Sequence, residues 1–248
     1  QFLMVNLKFA NSLPMEKIRI LADGTVIENG PDVVPDTIVR VEKLLDQQVL
    51  RERIKSGAYG LVVGIDASGR VPALLMHKIV QGFRQTPLQF VAGKRTYGHD
   101  DEQNRANGIG SVIYGMRDTL EDQGGGRVLI VDDVINSGDA LTDICREMRA
   151  LGMTFDVAVL GAIGTDSEST TDGQAKKLGG EIFYAQIDHS TSNSFPEIYG
   201  RSDYSGVVKT PGAIYAQPAV LHDESNFHDT RVAIDNAASV LIAKLENQ

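Results

Sequence analysis

The chain holds a single cysteine, Cys145, in 248 residues. That excludes an internal disulfide and fits a reducing, cytoplasmic setting. Cys145 falls at helical spacing with Leu141 and Met148, the place of a small buried apolar residue rather than of a catalytic thiol. Positive charge is also short: Lys and Arg total 24 against 33 Asp and Glu, for a net charge of −9. A general nucleic-acid or membrane-surface binder is not expected from that balance. No apolar run approaches the ~20 residues needed to span a bilayer. Gln1 to Ala10 carry no basic stretch leading into a long apolar one, so no secretory signal is expected. Internal repeats and low-complexity tracts are missing as well. What remains is one sizeable domain with decorations, or one and a half domains.

The chain does contain a regular alternation of apolar runs and helical patterns. Residues 61–65, 88–92, 128–131, 155–163 and 181–187 read as strands. Residues 72–83, 140–151 and 172–178 read as helices, the last ended by Gly179-Gly180. Residues 111–114 are expected to form a further short strand, and the polar segment 93–108 a long loop, functional or disordered. This order predicts an α/β fold with a mostly parallel sheet covered on both faces. Before it, residues 18–21 and 25–27 suggest a hairpin around Asp23-Gly24. A helix then opens at Pro35-Asp36, with Ile38, Val41, Leu44, Leu45 and Val49 on its apolar side. After it, residues 189–217 read as loops with short strands. Residues 229–245 recover a helix with Val232, Ile234, Ala237, Val240, Leu241 and Lys244 in phase. The expected division is an N-terminal extension over 1–55, a core over 56–188 and a C-terminal extension over 189–248.

The chemistry concentrates in Val128-Leu129-Ile130-Val131-Asp132-Asp133-Val134-Ile135-Asn136-Ser137-Gly138-Asp139-Ala140. A buried parallel strand delivers two acids and a turn of small residues to the sheet rim, where open α/β proteins bind ligands. The turn's N–H groups and the positive end of the next helix suit a phosphate. The acids suit neighbouring sugar hydroxyls or a metal ion that carries more phosphate. A second small-residue turn, Asp66-Ala67-Ser68-Gly69-Arg70, follows the first core strand. Its backbone can approach a ligand closely, and Arg70 can fork onto phosphate oxygens. Asp66 either caps the following helix or orients Arg70.

The first segment resembles the phosphoribosyl-pyrophosphate (PRPP) signature of type I phosphoribosyltransferases, in wording closest to the orotate enzymes. The second resembles the diphosphate loop of the same family, in wording closest to the adenine enzymes. The resemblance covers roughly residues 58–188. It implies a Rossmann-like parallel-sheet core under a variable hood. It also implies a Mg²⁺-dependent transfer of the 5-phosphoribosyl group of PRPP to a nucleobase or related acceptor, with release of diphosphate.

By that resemblance Asn136, Ser137, Gly138, Asp139 and Ala140 hold the 5-phosphate, and Asp66, Ala67, Ser68, Gly69 and Arg70 hold the diphosphate. Asp132 and Asp133 face the ribose hydroxyls and hold Mg²⁺ directly or through water. Lys94 and His99 match a lysine and a histidine of the orotate family's flexible loop. Tyr97 stands where that family has a second lysine, and Arg95 is the candidate replacement. The transfer passes through an oxocarbenium-like state that needs electrostatic shielding, not a nucleophilic side chain. No Lys or Arg lies between Met153 and Lys176, so a carboxylated pyrimidine lacks its expected partner. Phe183, Tyr184, Tyr199 and Tyr204 are candidates to stack on a base, or else to pack. The resemblance further implies a homodimer with no nucleic-acid or membrane partner. The competing reading is a PRPP- or nucleotide-binding regulator that has lost catalysis, in keeping with Tyr97. A PRPP-making diphosphokinase is disfavoured by the single copy of the core.

Overall fold

In the computed structural model, the described residues are 18–20, 26–28, 33–92, 101–135, 139–163, 178–188, 202–209, 213–221 and 224–248. The hairpin expected near the N-terminus is present: β1 (Ile18–Ile20) pairs antiparallel with β2 (Val26–Glu28). Two helices follow, α1 (Val33–Leu45) and α2 (Gln48–Lys55), where the sequence suggests one helix reaching Val49. The break lies at Gln47, whose ψ of 114° is extended. The new helix direction buries Leu50 and Ile54 and leaves Val49 outside.

The core alternates β3 (Tyr59–Asp66), α3 (Arg70–Gln81), β4 (Leu88–Ala92), α4 (Asp101–Asp122), β5 (Arg127–Ile135), α5 (Asp139–Ala150) and β6 (Phe155–Ile163). It closes with β7 (Glu181–Tyr184) and β8 (Ile187–Asp188). The six-stranded sheet has the order β4-β3-β5-β6-β7, with β8 also paired to β6, and every pairing is parallel. Residues 181–187, expected as one strand, are thus two short ones. After them come a short helix α6 (Ser202–Ser205), the pair β9 (Val207–Val208) and β10 (Gln217–Pro218), and the long α7 (Ser225–Glu246).

Strand side chains alternate between faces, and the two faces bury different helices. Val62, Leu129, Val131, Ala158 and Leu160 meet α1, α2, α3 and α7. Leu61, Val63, Val128, Ile130, Val157 and Val159 meet α4 and α5. Both faces being covered explains why β3, β5 and β6 read as near-continuous apolar runs. Each fully buried Leu or Ile contributes about 1.5–3 kcal/mol.

The clearest departure from the sequence reading is α4. Residues 111–114, expected as a strand, lie inside this helix, as do residues 101–108 of the expected loop. Ile109, Ile113, Met116 and Leu120 are all buried, and their spacing is the helical one. The β-branched pair Val112-Ile113 belongs to that longer stripe. In α7, which begins at Ser225, the buried stripe is Thr230, Ile234, Ala237, Ala238, Leu241 and Leu245. Val232, placed on the apolar side by the sequence pattern, is 46% exposed. Most of the helix expected over 172–178 lies outside the described residues.

One polar cluster sits inside the amino end of the sheet. Asp156 on β6 is fully buried. It accepts from Arg127 at 2.6 and 2.9 Å and from the Tyr59 hydroxyl at 2.8 Å, and it pairs with Arg53 at 3.0 Å. Burial and the nearby Asp156 charge push the Tyr59 hydroxyl pKa upward, so it stays a donor.

Candidate functional site

β3 and β5 pair until Gly64 faces Val131. There β3 nears its end, while β5 continues against β6, with Asp132 opposite Val159 and Ile135 opposite Ala162. The acids therefore lie within β5, whereas the sequence pattern ended that strand at Val131. A long β6 extends the ladder and carries them past the end of the β3 pairing. Two parallel neighbours part at this point on the carboxyl edge, the place where open α/β sheets accept ligands.

The turn leaving β3 fills the gap. The Asp66–Ala67 peptide bond is cis. Gly69 lies directly on the acid pair: a Cβ there would be 2.9 Å from Asp132 Oδ1 and 2.6 Å from the Ile65 carbonyl oxygen. The Ser68 hydroxyl donates to the Asp133 carboxylate. The two segments singled out in the sequence thus touch in space. Asp66, buried at the end of β3, grips Arg70 through Nε at 2.7 Å and Nη2 at 2.6 Å. Arg70 also lies over the Phe90 ring at 3.9 Å. Gly64 makes room for that ring, which a Cβ would meet at 2.5 Å.

Asp132 is 5% exposed, and its Oδ1 accepts the Asp133 amide at 2.9 Å. Burial is the largest influence on both carboxyl groups and holds both pKa values above the usual range. For Asp132 the adjacent Asp133 charge raises it further, and Lys209 offsets part of the rise. For Asp133 the bonds from Asp132, Ser68 and Val134 act the other way. Two desolvated carboxylates side by side repel, so the pair keeps a proton unless a cation compensates. The donor set is oxygen from carboxylates, suited to a hard divalent ion. No cluster of three or more His, Cys, Asp or Glu able to hold a metal occurs among the described residues.

The remaining sequence candidates divide clearly. Lys94, Arg95 and His99 lie outside the described residues, as do Asn136, Ser137 and Gly138. Asp139 and Ala140 open α5. Cys145 is buried against α4 with its thiol pushed up to about 12, far from a reactive thiolate. Phe183 and Tyr204 are buried in the α1–α3–α7 core and are not available to stack on a base. Tyr184 packs against the opposite cluster, and Tyr199 lies outside the described residues. Sequence reasoning missed Phe90, which lies against Arg70, Lys209, whose charge acts on Asp132, and Arg231, whose pKa the Arg70 charge helps lower. Phe90 reads only as a strand residue, and the two cations fall outside any motif.

A family model described as the phosphoribosyl transferase domain matches residues 40–176. The matched span contains the turn 66–70, the acid pair and the loop after it. HGPRTase-like protein 2 of Haloterrigena turkmenica is 29% identical over 172 residues, 66% of this chain and 93% of the relative. HGPRTase-like protein 2 of Haloferax volcanii is 29% identical over 140 residues, 54% of this chain and 76% of the relative. HGPRTase-like protein 1 of Halalkalicoccus jeotgali is 27% identical over 168 residues, 65% of this chain and 91% of the relative.

Proposed function

The chain belongs to the phosphoribosyl transferase domain family, and on that footing we propose a Mg²⁺-dependent phosphoribosyltransferase. It moves the 5-phosphoribosyl group of PRPP to a nucleobase-like acceptor and releases diphosphate. The observation that carries this reading is the contact of Gly69 with Asp132. It brings the turn after β3 against the acid pair of β5, which supports assigning the turn to the diphosphate and the acids to the ribose.

In this reading the backbone of 136–140 takes the 5-phosphate at the start of α5. Asp132 and Asp133 orient the ribose hydroxyls and shield positive charge that develops at the anomeric carbon. The backbone of 67–69 and Arg70 receive the departing diphosphate, with Asp66 and Phe90 fixing the guanidinium. Lys94, Arg95 and His99, assigned by resemblance alone, would add positive charge for the departing diphosphate. The chemistry that Mg²⁺ supplies there is neutralisation of diphosphate charge.

The acceptor favoured here is a purine. The HGPRTase-like names of the haloarchaeal relatives point that way. So does the lack of Lys and Arg between Met153 and Lys176, which leaves an orotate carboxylate without a partner. The orotate-like wording of the phosphate loop is then a matter of PRPP handling, not of the base. A cytoplasmic homodimer completes the proposal. No helix among the described residues is long and apolar enough to cross a membrane. Tyr97 in the flap favours the second reading, a PRPP-binding regulator without turnover.

The test is titration of PRPP with Mg²⁺, followed by a diphosphate-release screen across purines and pyrimidines. Release with a purine supports the enzyme. Binding without release on any base supports the regulator. Absence of PRPP binding overturns both.

A further inference from the structure

Arg231 lies on α7, beyond the 40–176 span that the family model explains. α7 runs alongside α3: Asp235 pairs with Lys78 at 2.7 Å, and Ile242 packs on Gly82. One turn before Asp235, Arg231 is thereby carried toward the amino end of α3, where Arg70 begins the helix. Its Nη2 donates to the Ser205 carbonyl at 3.2 Å, and its guanidinium lies over Phe227 at 4.6 Å. Its Nη1 is buried and finds no acceptor among the described residues. Burial and the like charge of Arg70 lower its pKa to about 10, against a smaller opposing effect of Asp235.

This is a costly arrangement for a cation. A partly buried guanidinium sits on the helix that runs along α3 toward the Arg70 end and keeps a buried donor unsatisfied among the described residues. An anion bound at that end of α3 would satisfy the donor and offset the like charge of the two arginines. Arg70 by itself supplies little net charge for that purpose, because Asp66 neutralises it through a forked pair. A diphosphate group carries several negative charges and needs a cation that is not already matched. The geometry points to Arg231 as a second guanidinium of the diphosphate subsite, delivered by the C-terminal helix to bind the diphosphate oxygens of PRPP. This rests on the functional reading above. It concerns a residue outside the matched family span, and it gives the C-terminal extension a direct part in substrate binding.

The experiment uses the full chain, Arg231→Gln and Arg231→Lys, with Mg²⁺-diphosphate and ribose 5-phosphate as separate calorimetric probes. Loss of a charge-assisted bond should weaken diphosphate binding in Arg231→Gln by at least about tenfold. Ribose 5-phosphate affinity should stay within about twofold, and Arg231→Lys should recover part of the loss. If Arg231 serves only to hold Ser205, Arg231→Gln lowers the melting temperature and leaves diphosphate affinity unchanged. That result overturns the assignment, as does equal weakening of both probes. Should Arg231→Gln not fold, Arg231→Lys decides: unaltered diphosphate affinity in it overturns the assignment, and a selective several-fold loss supports it. A wild-type chain that binds neither PRPP nor diphosphate overturns the functional reading itself, which separates the two failures.

Discussion

Asp132 and Asp156 are buried aspartates on neighbouring parallel strands, set toward opposite ends of one sheet. At the amino end, Asp156 is surrounded by Arg127, Arg53 and Tyr59, each donating to it or paired with it. At the carboxyl end, Asp132 faces another acid. The first arrangement compensates a buried charge within the protein. The second is offset only in part, by Lys209, and in the proposed reading a ligand supplies the rest. Binding sites commonly hold such unresolved electrostatics at a cost in stability, and here the two cases can be compared within one sheet.

The largest expected effect falls on the compensated end. Asp156→Ala leaves Arg127 and Arg53 without their shared partner, and removing one side of a buried pair costs about 3–5 kcal/mol. Both arginines are partly exposed, at 30% and 26%, so solvent screening places the value toward the lower figure. Urea unfolding measures it. A loss below about 1 kcal/mol would show that the network adds little net stability, as many ion pairs do.

At the other end the expected loss is in binding. Asp132→Asn should weaken PRPP binding in Mg²⁺ by roughly 10–100-fold, the usual range when a metal environment is disturbed. Calorimetry reads this directly, and unchanged affinity would remove the acid pair from the site. Gly69→Ala tests the contact between the two segments. Overpacking against Asp132 and the Ile65 carbonyl should cost about 1–3 kcal/mol in stability and reduce diphosphate affinity as well. An alanine variant of wild-type stability and affinity would mean that the turn shifts freely. Phe90→Leu should have a smaller effect: loss of the aromatic face under Arg70 is worth about 0.5–2 kcal/mol. A several-fold rise in the diphosphate Kd, with little change in thermal stability, is the expected result.

The smallest effect is on pH dependence. The carboxyl pKa values of Asp132 and Asp133 are raised in the folded state. Their contribution to stability is therefore fully present below the ordinary carboxyl pKa of about 4. It is lost as pH rises through the raised folded value. Without Mg²⁺, Asp132→Asn should melt a few degrees above wild type near pH 8, and the gap should close toward pH 4. A gap independent of pH would argue against a repelling pair.

Much of the sheet was legible because parallel strands buried on both faces read as apolar runs. Residues 61–65, 128–131 and 155–163 all fall inside observed strands for that reason. The helix α4 was hidden because its first residues are polar, and a short β-branched pair outweighed a stripe whose members are three and four apart. The Asp66–Arg70 pair is local, at a spacing of 4, and both of its possible roles could be written down from the sequence. The amino-end network was not readable, since Tyr59 and Asp156 are 97 residues apart and neither sits in a motif. Phe90 and Arg231 were missed for the same reason.

The sequence by itself determined the class of fold, the small-residue turn at 66–70 and the presence of the acid pair near the end of a core strand, because these depend on periodicity and on neighbours along the chain. Only the tertiary structure decided that Gly69 rests on Asp132, that Asp156 is more fully matched than Asp132 among the described residues, and that α7 carries Arg231 along α3 toward the Arg70 end. Those facts depend on which strands part, which helices lie side by side and how far water is excluded, quantities that exist only once distant segments have packed.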